Sequence, residues 1–405
     1  MRDLLPRDMV RFRRVEQAFR EACESYGYEE VKPPTIEYLQ LFTALGTLSP
    51  GMVSRVYSFL DWDGWSGERV VLRPDSTIPV ARLYVENIAP SSPARLSYVT
   101  NSFVFEATGT RNRERWQCGA EFIGGAPIIS DTEILLLARD IIGRLGLPNV
   151  RLQLFHAGVL KAIIEELNLP HERKERLIEA VLDGDWRELS DAAKAVAGAR
   201  RYLAPLLSLK GTSAGYLENI RALATGASAR FLSALNEFIE VARVLDDLDC
   251  SYEIDITAVR SFEYYTGICF QFLSVSGEKI GGGGRYDDLI PLMGGPELPS
   301  CGFALYIDQI AAILDGSEPP RNGVVVITAD AGEAAARRCL GLAQSIRCRG
   351  GMAVVQTGAT AAVPGRYRWT IQLSASESDT VVMTDCETNE SISCSMAEAL
   401  SRLVS

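Results

Sequence analysis

The sequence predicts an α+β protein made of two domains, and three patterns along the chain indicate this class. Segments with strand-like alternation lie on both sides of a block with helical spacing, at about 158–248. A β-α-β pattern begins only after residue 323. With 405 residues, the chain is long enough for two hydrophobic cores. Because strands and helices are largely segregated before this pattern, we expect an α+β domain with a helical insertion there.

The elements of the first domain can be predicted in chain order. An amphipathic helix over 8–27 ends at Gly27, as helices with a C-terminal glycine do. A short strand around Glu29–Val31 precedes Pro33 and Pro34, which stop any regular element. The later patterns predict a strand at Arg69–Leu72, a helix at Pro79–Asn87, strands at 97–106 and 115–123, a strand pair within 251–275, and a strand leading into a helix over Gly302–Leu314.

The stretch Asp315–Gly323 has the Gly, Pro and polar composition of a linker. We therefore place the first domain at 1–318 and the second at 322–405. The second domain is predicted to contain a strand at Val324–Thr328, a helix at 332–347, a strand at Met352–Gln356, two or three further strands and a last helix.

Composition argues against several kinds of protein. A content of 47% hydrophobic and 23% charged residues is ordinary for a soluble globular chain, and no uncharged apolar run approaches the length of a membrane span. The charged start of the chain is unlike a secretory signal, so we expect a cytoplasmic protein without a membrane partner. The formal charge of −11 argues weakly against a nucleic-acid partner, because a basic face can exist within an acidic total.

Metal and disulfide chemistry are also not expected. The nine cysteines are scattered and contain no C-x-x-C pair, which disfavours a disulfide framework or a zinc site. His156 and His171 are the only histidines, so a His-rich metal site is excluded. We predict that the protein holds neither a metal nor a cofactor.

Three features of the sequence have ordinary explanations when each is considered alone. The glycine run Gly281–Gly284 is typical of a tight turn, and without a following Lys-Ser/Thr it is not a phosphate loop. The pair Tyr264-Tyr265, in a predicted strand, is typical of core packing, and an acid such as Glu121 in a strand usually faces solvent. Their order and spacing along the chain indicate function instead.

The motifs, taken in order, resemble the histidyl-tRNA synthetase family over nearly all of residues 1–314. The segments are "MRDLLP", "YGYEEVKPPTIE", "LRPDSTIPVAR", "ERWQCGAEFIGG", "VRSFEYYTGICF", "GGGGRYDDL" and "GFALYIDQI". The resemblance implies the class II aminoacyl-tRNA synthetase fold, an antiparallel sheet flanked by helices and usually dimeric, with Pro34 as the motif 1 proline. Residues 324–405 more loosely resemble the family's small α/β anticodon-binding domain.

The resemblance also implies a histidine pocket. Such a pocket needs an acid for the ammonium, a cation for the carboxylate, and paired donors and acceptors for the imidazole. Asp75, a glutamate in many synthetases, would meet the ammonium with Thr77 and Gln117, and Arg260 would face the carboxylate. Glu121 and Tyr265 would hydrogen-bond the imidazole, Tyr286 would form the pocket wall, and Tyr264 would be a further histidine-binding residue.

The residues expected to bind ATP differ from the family pattern. Val104 replaces the motif 2 arginine, and Gln309 replaces the motif 3 arginine. Losing one preorganised charge stabiliser typically costs about 10²–10³ in rate, so two losses predict at least about 10⁴-fold less adenylation. Arg111 and Arg113 remain as candidate anion-binding residues. We therefore predict no catalytic residues.

The second domain also differs from a tRNA-binding domain. Residues 321–405 contain eight arginines, no lysine and eight acidic residues, so their formal charge is zero. The segment "TGATAAVPGR" replaces the longer, lysine-bearing helix of the synthetases. Without a net positive charge we expect no tRNA partner. Ordinary divergence of a working anticodon domain is the alternative.

A histidine pocket without the ATP arginines is similar to a non-catalytic group within this family, the regulatory subunits of ATP phosphoribosyltransferase. The resemblance implies a hetero-oligomer with a short-form catalytic subunit, expected to be a hetero-octamer. The catalytic subunit would carry out the first step of histidine biosynthesis, and histidine would control its activity. Histidine would act allosterically, through different affinities for two states. The alternatives are an active histidyl-tRNA synthetase with an unusual ATP site and a stand-alone histidine-binding paralogue.

Overall fold

The computed structural model of the protein describes residues 3–43, 56–62, 67–89, 93–105, 113–167, 169–182, 184–195, 200–258, 265–314, 323–328, 332–357, 367–373 and 379–404. The chain forms two compact units, Met1–Leu314 and Asp315–Ser405.

The first unit contains both strands and helices. Its strands are β1 (Glu29–Glu30), β2 (Ile36–Tyr38), β3 (Ser58–Trp62), β4 (Gly67–Leu72), β5 (Ala94–Phe103), β6 (Glu114–Ile123), β7 (Arg151–His156), β8 (Glu253–Ile254), β9 (Ile268–Leu273), β10 (Lys279–Arg285) and β11 (Ser300–Tyr306). Its helices are α1 (Pro6–Ser25), α2 (Leu39–Thr43), α3 (Thr77–Asn87), α4 (Pro127–Arg144), α5 (Ala157–Glu166), α6 (His171–Leu182), α7 (Arg187–Ala195), α8 (Arg200–Ser208), α9 (Ala214–Leu223), α10 (Ala229–Asp247), α11 (Leu289–Leu292) and α12 (Ile307–Ile313), with a 3₁₀ turn at Ile256–Ala258.

Strands β1-β5-β6-β11-β10-β9-β7-β8, in this order, form the central sheet of the described first unit. Neighbours are antiparallel except at the two edges, where β1 pairs parallel to β5 and β8 pairs parallel to β7. A second, three-stranded antiparallel sheet of order β2-β4-β3 is formed by the residues between β1 and β5 in the sequence. The α+β prediction of an antiparallel sheet flanked by helices is confirmed, and helices α5 to α10 occupy the predicted helical block.

The central sheet separates two hydrophobic cores, because side chains alternate along its strands. On β6, Cys118, Ala120 and Phe122 pack into the larger core with α1 and α4. Tyr98 on β5 lies opposite Gly119 in the register and belongs to the smaller core, formed with β4, α3 and the segment after β10. The face of β6 that includes Glu121 therefore borders this smaller core.

Three expectations about strands and turns are wrong. Within 251–275, β8 and β9 do not pair with each other, because β7 lies between them and pairs with both. The glycine run forms part of the interior strand β10 rather than a turn. A Cβ on Gly283 would lie 2.0 Å from the carbonyl oxygen of Gly302, so the close approach of β11 explains the absence of side chains. Tyr265 also lies outside any strand, just before β9.

The second unit is a mixed sheet with helices packed on one face. Its elements are β12 (Gly323–Thr328), α13 (Glu333–Cys348), β13 (Met352–Thr357), β14 (Trp369–Leu373), β15 (Thr380–Asp385), β16 (Ser391–Ser395) and α14 (Met396–Val404). The strand order is β13-β12-β14-β15-β16, with β12 parallel to both neighbours and β14, β15 and β16 antiparallel. The hydrophobic core of this unit is formed by side chains of α13 and α14 that pack against alternate residues of the strands.

Candidate functional site

Glu121 lies at the centre of the candidate site, on an interior strand of the first sheet. Its side chain is fully buried, at 0% exposure. The Tyr98 hydroxyl donates to Oε1 at 3.1 Å, and the Tyr286 hydroxyl donates to Oε2. Burial raises the pKa of Glu121 to about 8, against the hydrogen bond from Tyr286, and the charge of Asp75 raises it further. The site therefore presents a buried acid held on both oxygens, contrary to the ordinary expectation that Glu121 faces solvent.

Two glycines leave the space that this group of side chains occupies. A Cβ on Gly302, in β11, would lie 1.7 Å from Glu121 Oε2 and 2.6 Å from the Ala120 carbonyl oxygen. A Cβ on Gly119, in β6, would lie 2.4 Å from the Tyr98 hydroxyl oxygen. The absence of these two side chains therefore gives Glu121 and Tyr98 their positions.

The loop between β4 and α3 brings the first two predicted ammonium ligands to the same region. Asp75 Oδ1 accepts the Ile78 N–H at 3.0 Å, which fixes the carboxylate at the start of α3. Burial raises the pKa of Asp75, and backbone N–H donors oppose this shift. The Thr77 hydroxyl oxygen is 3.5 Å from the Tyr98 hydroxyl oxygen. Tyr98 thus connects Thr77 with Glu121.

Arg73, the residue before "PDST", is a structural anchor that the sequence analysis did not identify. It is 2% exposed, and its guanidinium donates to the carbonyl oxygens of Pro33 at 2.9 Å, Pro34 at 2.7 Å and Asn101 at 2.7 Å. Burial lowers its pKa. Arg73 therefore ties the Asp75 loop to the proline segment and to β5. In the sequence, the position of this arginine between a predicted strand and a proline could have indicated a structural role.

Gln117 lies on the same face of β6 as Glu121, since the two differ by four positions along the strand. It is 5% exposed, and within the described ranges its Nε2 has no hydrogen-bond partner. An unpaired buried amide donor is unfavourable, typically by about 1–3 kcal/mol. Gln117 therefore offers an unused hydrogen-bonding group at the site.

Tyr286 directly follows β10 and reaches Glu121 with its hydroxyl, and Tyr265 precedes β9. Tyr286 is 1% exposed, and its N–H donates to the Ser300 carbonyl oxygen at 2.7 Å. The guanidinium of the neighbouring Arg285 donates to both carboxylate oxygens of Asp131, at 3.0 and 2.7 Å, and both side chains are buried. Burial raises the pKa of Asp131 to about 6. Tyr265 packs against both cores, and its carbonyl oxygen accepts Lys161 Nζ at 2.8 Å.

Some predicted site residues cannot be placed or lie elsewhere. Arg260, Tyr264 and Arg111 fall outside the described residues. The guanidinium of Arg113 lies over the Phe105 ring, 5.1 Å from its centroid, and the Arg113 carbonyl oxygen accepts the Val104 N–H at 3.0 Å. Anion binding by Arg111 and Arg113 therefore stays a prediction.

Both positions predicted for ATP arginines hold neutral, partly buried side chains. Val104 follows the end of β5. Gln309 lies in the first turn of α12, and its buried Oε1 has no partner among the described residues. The adjacent Asp308 accepts the Trp116 N–H at 2.8 Å, which attaches α12 to β6. Neither Val104 nor Gln309 can neutralise phosphate charge.

His156 has a structural position outside the candidate site. Its Nδ1 accepts the Val159 N–H at 3.3 Å at the start of α5, and burial lowers its pKa to about 3. In the part of the chain that the structure covers, no group of three or more His, Cys, Asp or Glu residues could hold a metal ion. The described helices include none with the length and apolarity needed to cross a membrane.

Comparison with known sequences agrees with this architecture. A family model described as histidyl-tRNA synthetase matches residues 1–310. An ATP phosphoribosyltransferase regulatory subunit from Dehalococcoides mccartyi is 48% identical over 316 residues, covering 78% of this chain and 76% of that protein. A histidine–tRNA ligase from Methanocaldococcus jannaschii is 31% identical over 355 residues, covering 86% and 83%. Both resemblances predicted from the motifs are confirmed.

A solved structure shows the same fold. It is described as an ATP phosphoribosyltransferase regulatory subunit/histidyl-tRNA synthetase from Bacillus halodurans C. It covers 92% of this chain and 96% of its own, with a TM-score of 0.78 at 24% sequence identity. The predicted class II synthetase-like fold is therefore confirmed.

Proposed function

Because the chain belongs to the histidyl-tRNA synthetase family, and within it to the regulatory subunits of ATP phosphoribosyltransferase, we propose that it binds histidine and controls a separate catalytic subunit. The observation that supports this function best is the buried acid Glu121, held by Tyr98 and Tyr286, combined with neutral residues at both ATP positions. The pocket would let the protein detect an amino acid without activating it.

The described residues match the chemistry of the histidine side chain. A neutral imidazole has one N–H donor and one acceptor nitrogen. Glu121 would accept the imidazole N–H, with Tyr286 and Tyr265 as further contacts of the ring. Because Glu121 is buried, a ligand that lacks this N–H would leave the acid with an unused acceptor, which gives selectivity.

The α-amino and carboxylate groups would be bound at the other end of the pocket. Asp75 would pair with the ammonium, with Thr77 beside it. The unpaired Nε2 of Gln117 would donate to the ligand carboxylate, or its Oε1 would accept a hydrogen bond from the ligand ammonium. By family resemblance Arg260 would neutralise the carboxylate and Tyr264 would help to close the pocket.

We propose that the protein has no adenylation activity of its own. Val104 has no side-chain donor, and Gln309 has no charge, so neither can stabilise the developing charge on a triphosphate. Regulation would then pass to a catalytic partner, a short-form subunit in a hetero-octamer. A coupling free energy of about 1–3 kcal/mol between the histidine pocket and that partner would be sufficient for feedback.

The proposed assembly also includes a dimer of this chain, as its family resemblance implies. The small β2-β4-β3 sheet exposes large apolar side chains, with Tyr38 at 56% and Trp62 at 69% exposure. Such a cluster is typical of a protein–protein contact surface. We propose a cytoplasmic location, and no tRNA partner, because residues 321–405 have no net positive charge.

Calorimetric titration of the isolated chain tests the proposal. We expect saturable heat with L-histidine and none with ATP and Mg²⁺. A complex with the catalytic subunit should be inhibited by histidine, and Glu121→Gln in this chain should remove the inhibition while preserving the assembly. Histidine-dependent exchange of pyrophosphate into ATP by the isolated chain would instead favour an active synthetase, which the 31% identity to a histidine–tRNA ligase makes the alternative to test.

A further inference from the structure

Strand β16 forms one edge of the second unit's sheet, and no strand of the described residues pairs with its outer side. Its sequence is Ser-Ile-Ser-Cys-Ser, without a charged residue or proline. Ser391, Ile392 and Ser393 are exposed. Proteins usually block an exposed edge with charges, proline or a bulge, because its free backbone groups can pair with another strand. The five residues of β16 themselves have none of those features.

The pairing with β15 determines which backbone groups of β16 face outward. Next to the strand, Asp385 N–H donates to the Glu390 carbonyl oxygen at 3.0 Å, and Met396 N–H donates to the Asp379 carbonyl oxygen at 3.0 Å. Hydrogen-bonded and non-bonded positions alternate in an antiparallel pair. The regular register between these two bonds therefore directs the backbone groups of Ile392 and Cys394 toward β15. Those of the three serines face the free edge.

One end of this edge is closed by the chain itself. The Ser395 N–H donates to the Glu398 carboxylate at 2.9 Å, as the start of α14 requires. The outward N–H and C=O groups of Ser393 lie at the middle of the strand. Any partner strand must therefore form its central hydrogen bonds with Ser393.

The residue order of β16 is compatible with a second copy of itself. A two-fold axis at Ser393 would place Ser393 opposite Ser393, Ser391 opposite Ser395, and Ile392 opposite Cys394. Hydroxyl groups would then meet hydroxyl groups on one face, and apolar side chains would meet on the other, with no like charges opposed. The paired Ser393 residues would exchange two N–H···O bonds, the geometry of a self-complementary two-fold contact.

We infer that β16 pairs antiparallel with β16 of a second copy of this chain, joining the sheets of two second units about a two-fold axis at Ser393. The contact is separate from the apolar β2-β4-β3 sheet, and it does not depend on the proposed histidine function. Two different two-fold contacts in one chain can close a set of four copies. The second unit would then act in self-association.

Disulfide trapping tests this pairing. Cys348 and Cys386, which are at least partly exposed, are first replaced by serine. Ser393→Cys in this chain should form a disulfide-linked dimer on mild oxidation, because opposed Cα atoms in a hydrogen-bonded pair lie about 5.5 Å apart, within disulfide range. The matched control is Val382→Cys, directly opposite Ser393 on β15 and 41% exposed. The two Val382 Cα atoms across the axis would be about 10 Å farther apart than the two Ser393 Cα atoms, because two strand spacings are added. The Val382→Cys variant should therefore stay monomeric on non-reducing gels. Equal yields from the two variants would overturn the pairing.

Sedimentation equilibrium of the full-length chain gives a second readout. Ser393→Lys would place two ammonium groups opposite each other across the axis, which disfavours pairing. We expect the weight-average mass to fall about twofold relative to the unmodified chain if four copies assemble through two contacts. Val382→Lys, on the same face but away from the edge, should leave the mass unchanged. The same mass for Ser393→Lys and the unmodified chain would contradict the inference.

Discussion

The predicted histidine half and the predicted nucleotide half of the site differ in how strongly the fold depends on their residues. Glu121 is bonded to Tyr98 and Tyr286 and is fitted against Gly302, so a change at one of these positions disturbs the others. Val104 and Gln309 are single neutral residues at the end of β5 and the start of α12. The comparison indicates that a substitution at Val104 or Gln309 should disturb the fold less than a substitution in the interlocked group formed by the acid and its two tyrosines.

The largest expected effect is on histidine affinity in Glu121→Ala. Loss of a hydrogen bond between the Glu121 carboxylate and the ligand costs about 1.5–3 kcal/mol of binding free energy, whereas leaving the Tyr98 and Tyr286 hydroxyls unpaired lowers the stability of the variant. We therefore expect histidine binding to weaken by about 10- to 10²-fold. Glu114→Ala, at the exposed start of the same strand, is the control and should bind as before. Calorimetry showing equal affinity for both variants would show that Glu121 is not part of the histidine pocket.

Gly302→Ala should affect the pocket and the fold together. Its Cβ would lie within 2.6 Å of the Ala120 carbonyl oxygen as well as against Glu121, so backbone must move. Overpacking of this kind costs about 1–3 kcal/mol of unfolding free energy. Gly143→Ala in α4 is the matched control, because a Cβ there meets nothing within 4 Å. It should stabilise the protein by up to about 1 kcal/mol. Urea unfolding and histidine titration of both variants provide the measurements, and a Gly302→Ala protein as stable as the control would exclude the clash.

The nucleotide half can be tested by restoring its charges. Val104→Arg combined with Gln309→Arg should raise ATP affinity by at least about tenfold, since each charge-assisted hydrogen bond contributes about 1.5–3 kcal/mol. Val104→Leu with Gln309→Met changes the same positions without adding charge and should leave ATP affinity as it is. Titration with ATP and Mg²⁺ compares the two. If the arginines give no gain in ATP affinity, the missing positive charge at these two positions does not limit nucleotide binding.

How much of this contrast could be predicted from the sequence depends on the residue. Helix α1 and its end near Gly27 follow from apolar spacing and a glycine whose φ is +76°, both local properties. Val104 and Gln309 could be recognised because single missing arginines are visible in a motif. The position of Gly281–Gly284 inside a strand could not be predicted, because four glycines have no side-chain pattern. The close approach of β11 explains why these positions have no side chains.

Tyr98 shows the same limit within the candidate site. In the sequence it is one aromatic residue in an alternating strand, which usually indicates core packing. Its role depends on Gly119, on the neighbouring strand, leaving room for the hydroxyl, and on Glu121 lying within 3.1 Å. Both are contacts between strands that share no local signal. Arg73 likewise acts through residues distant in the chain, because it donates to the carbonyl oxygens of Pro33 and Asn101.

Proton linkage offers a smaller test of the histidine half. Because the pKa of Glu121 is raised to about 8, above its ordinary value of 4.5, the folded protein holds this proton more tightly than the unfolded chain. The stability from this group is fully present below pH 4.5, decreases as pH rises, and is lost above about pH 8. Above about pH 7, where the imidazole of the ligand is already mostly neutral, histidine should bind more tightly as pH rises toward about 8, since the carboxylate accepts the imidazole N–H. Glu121→Gln should remove this pH dependence, and an unchanged profile would assign the titration to another group.

The smallest effect is expected from removing the second unit. The residues of both halves, from Asp75 to Gln309, belong to the compact unit Met1–Leu314. A chain ending at Leu314 should therefore keep its histidine affinity within about twofold, because no described site residue is removed. Its melting transition and circular dichroism would confirm folding, and Glu121→Ala in the short chain is the negative control. A folded short chain that cannot bind histidine would mean that the second unit contributes to the pocket. The contrast between the two halves could then not be attributed to the first unit alone.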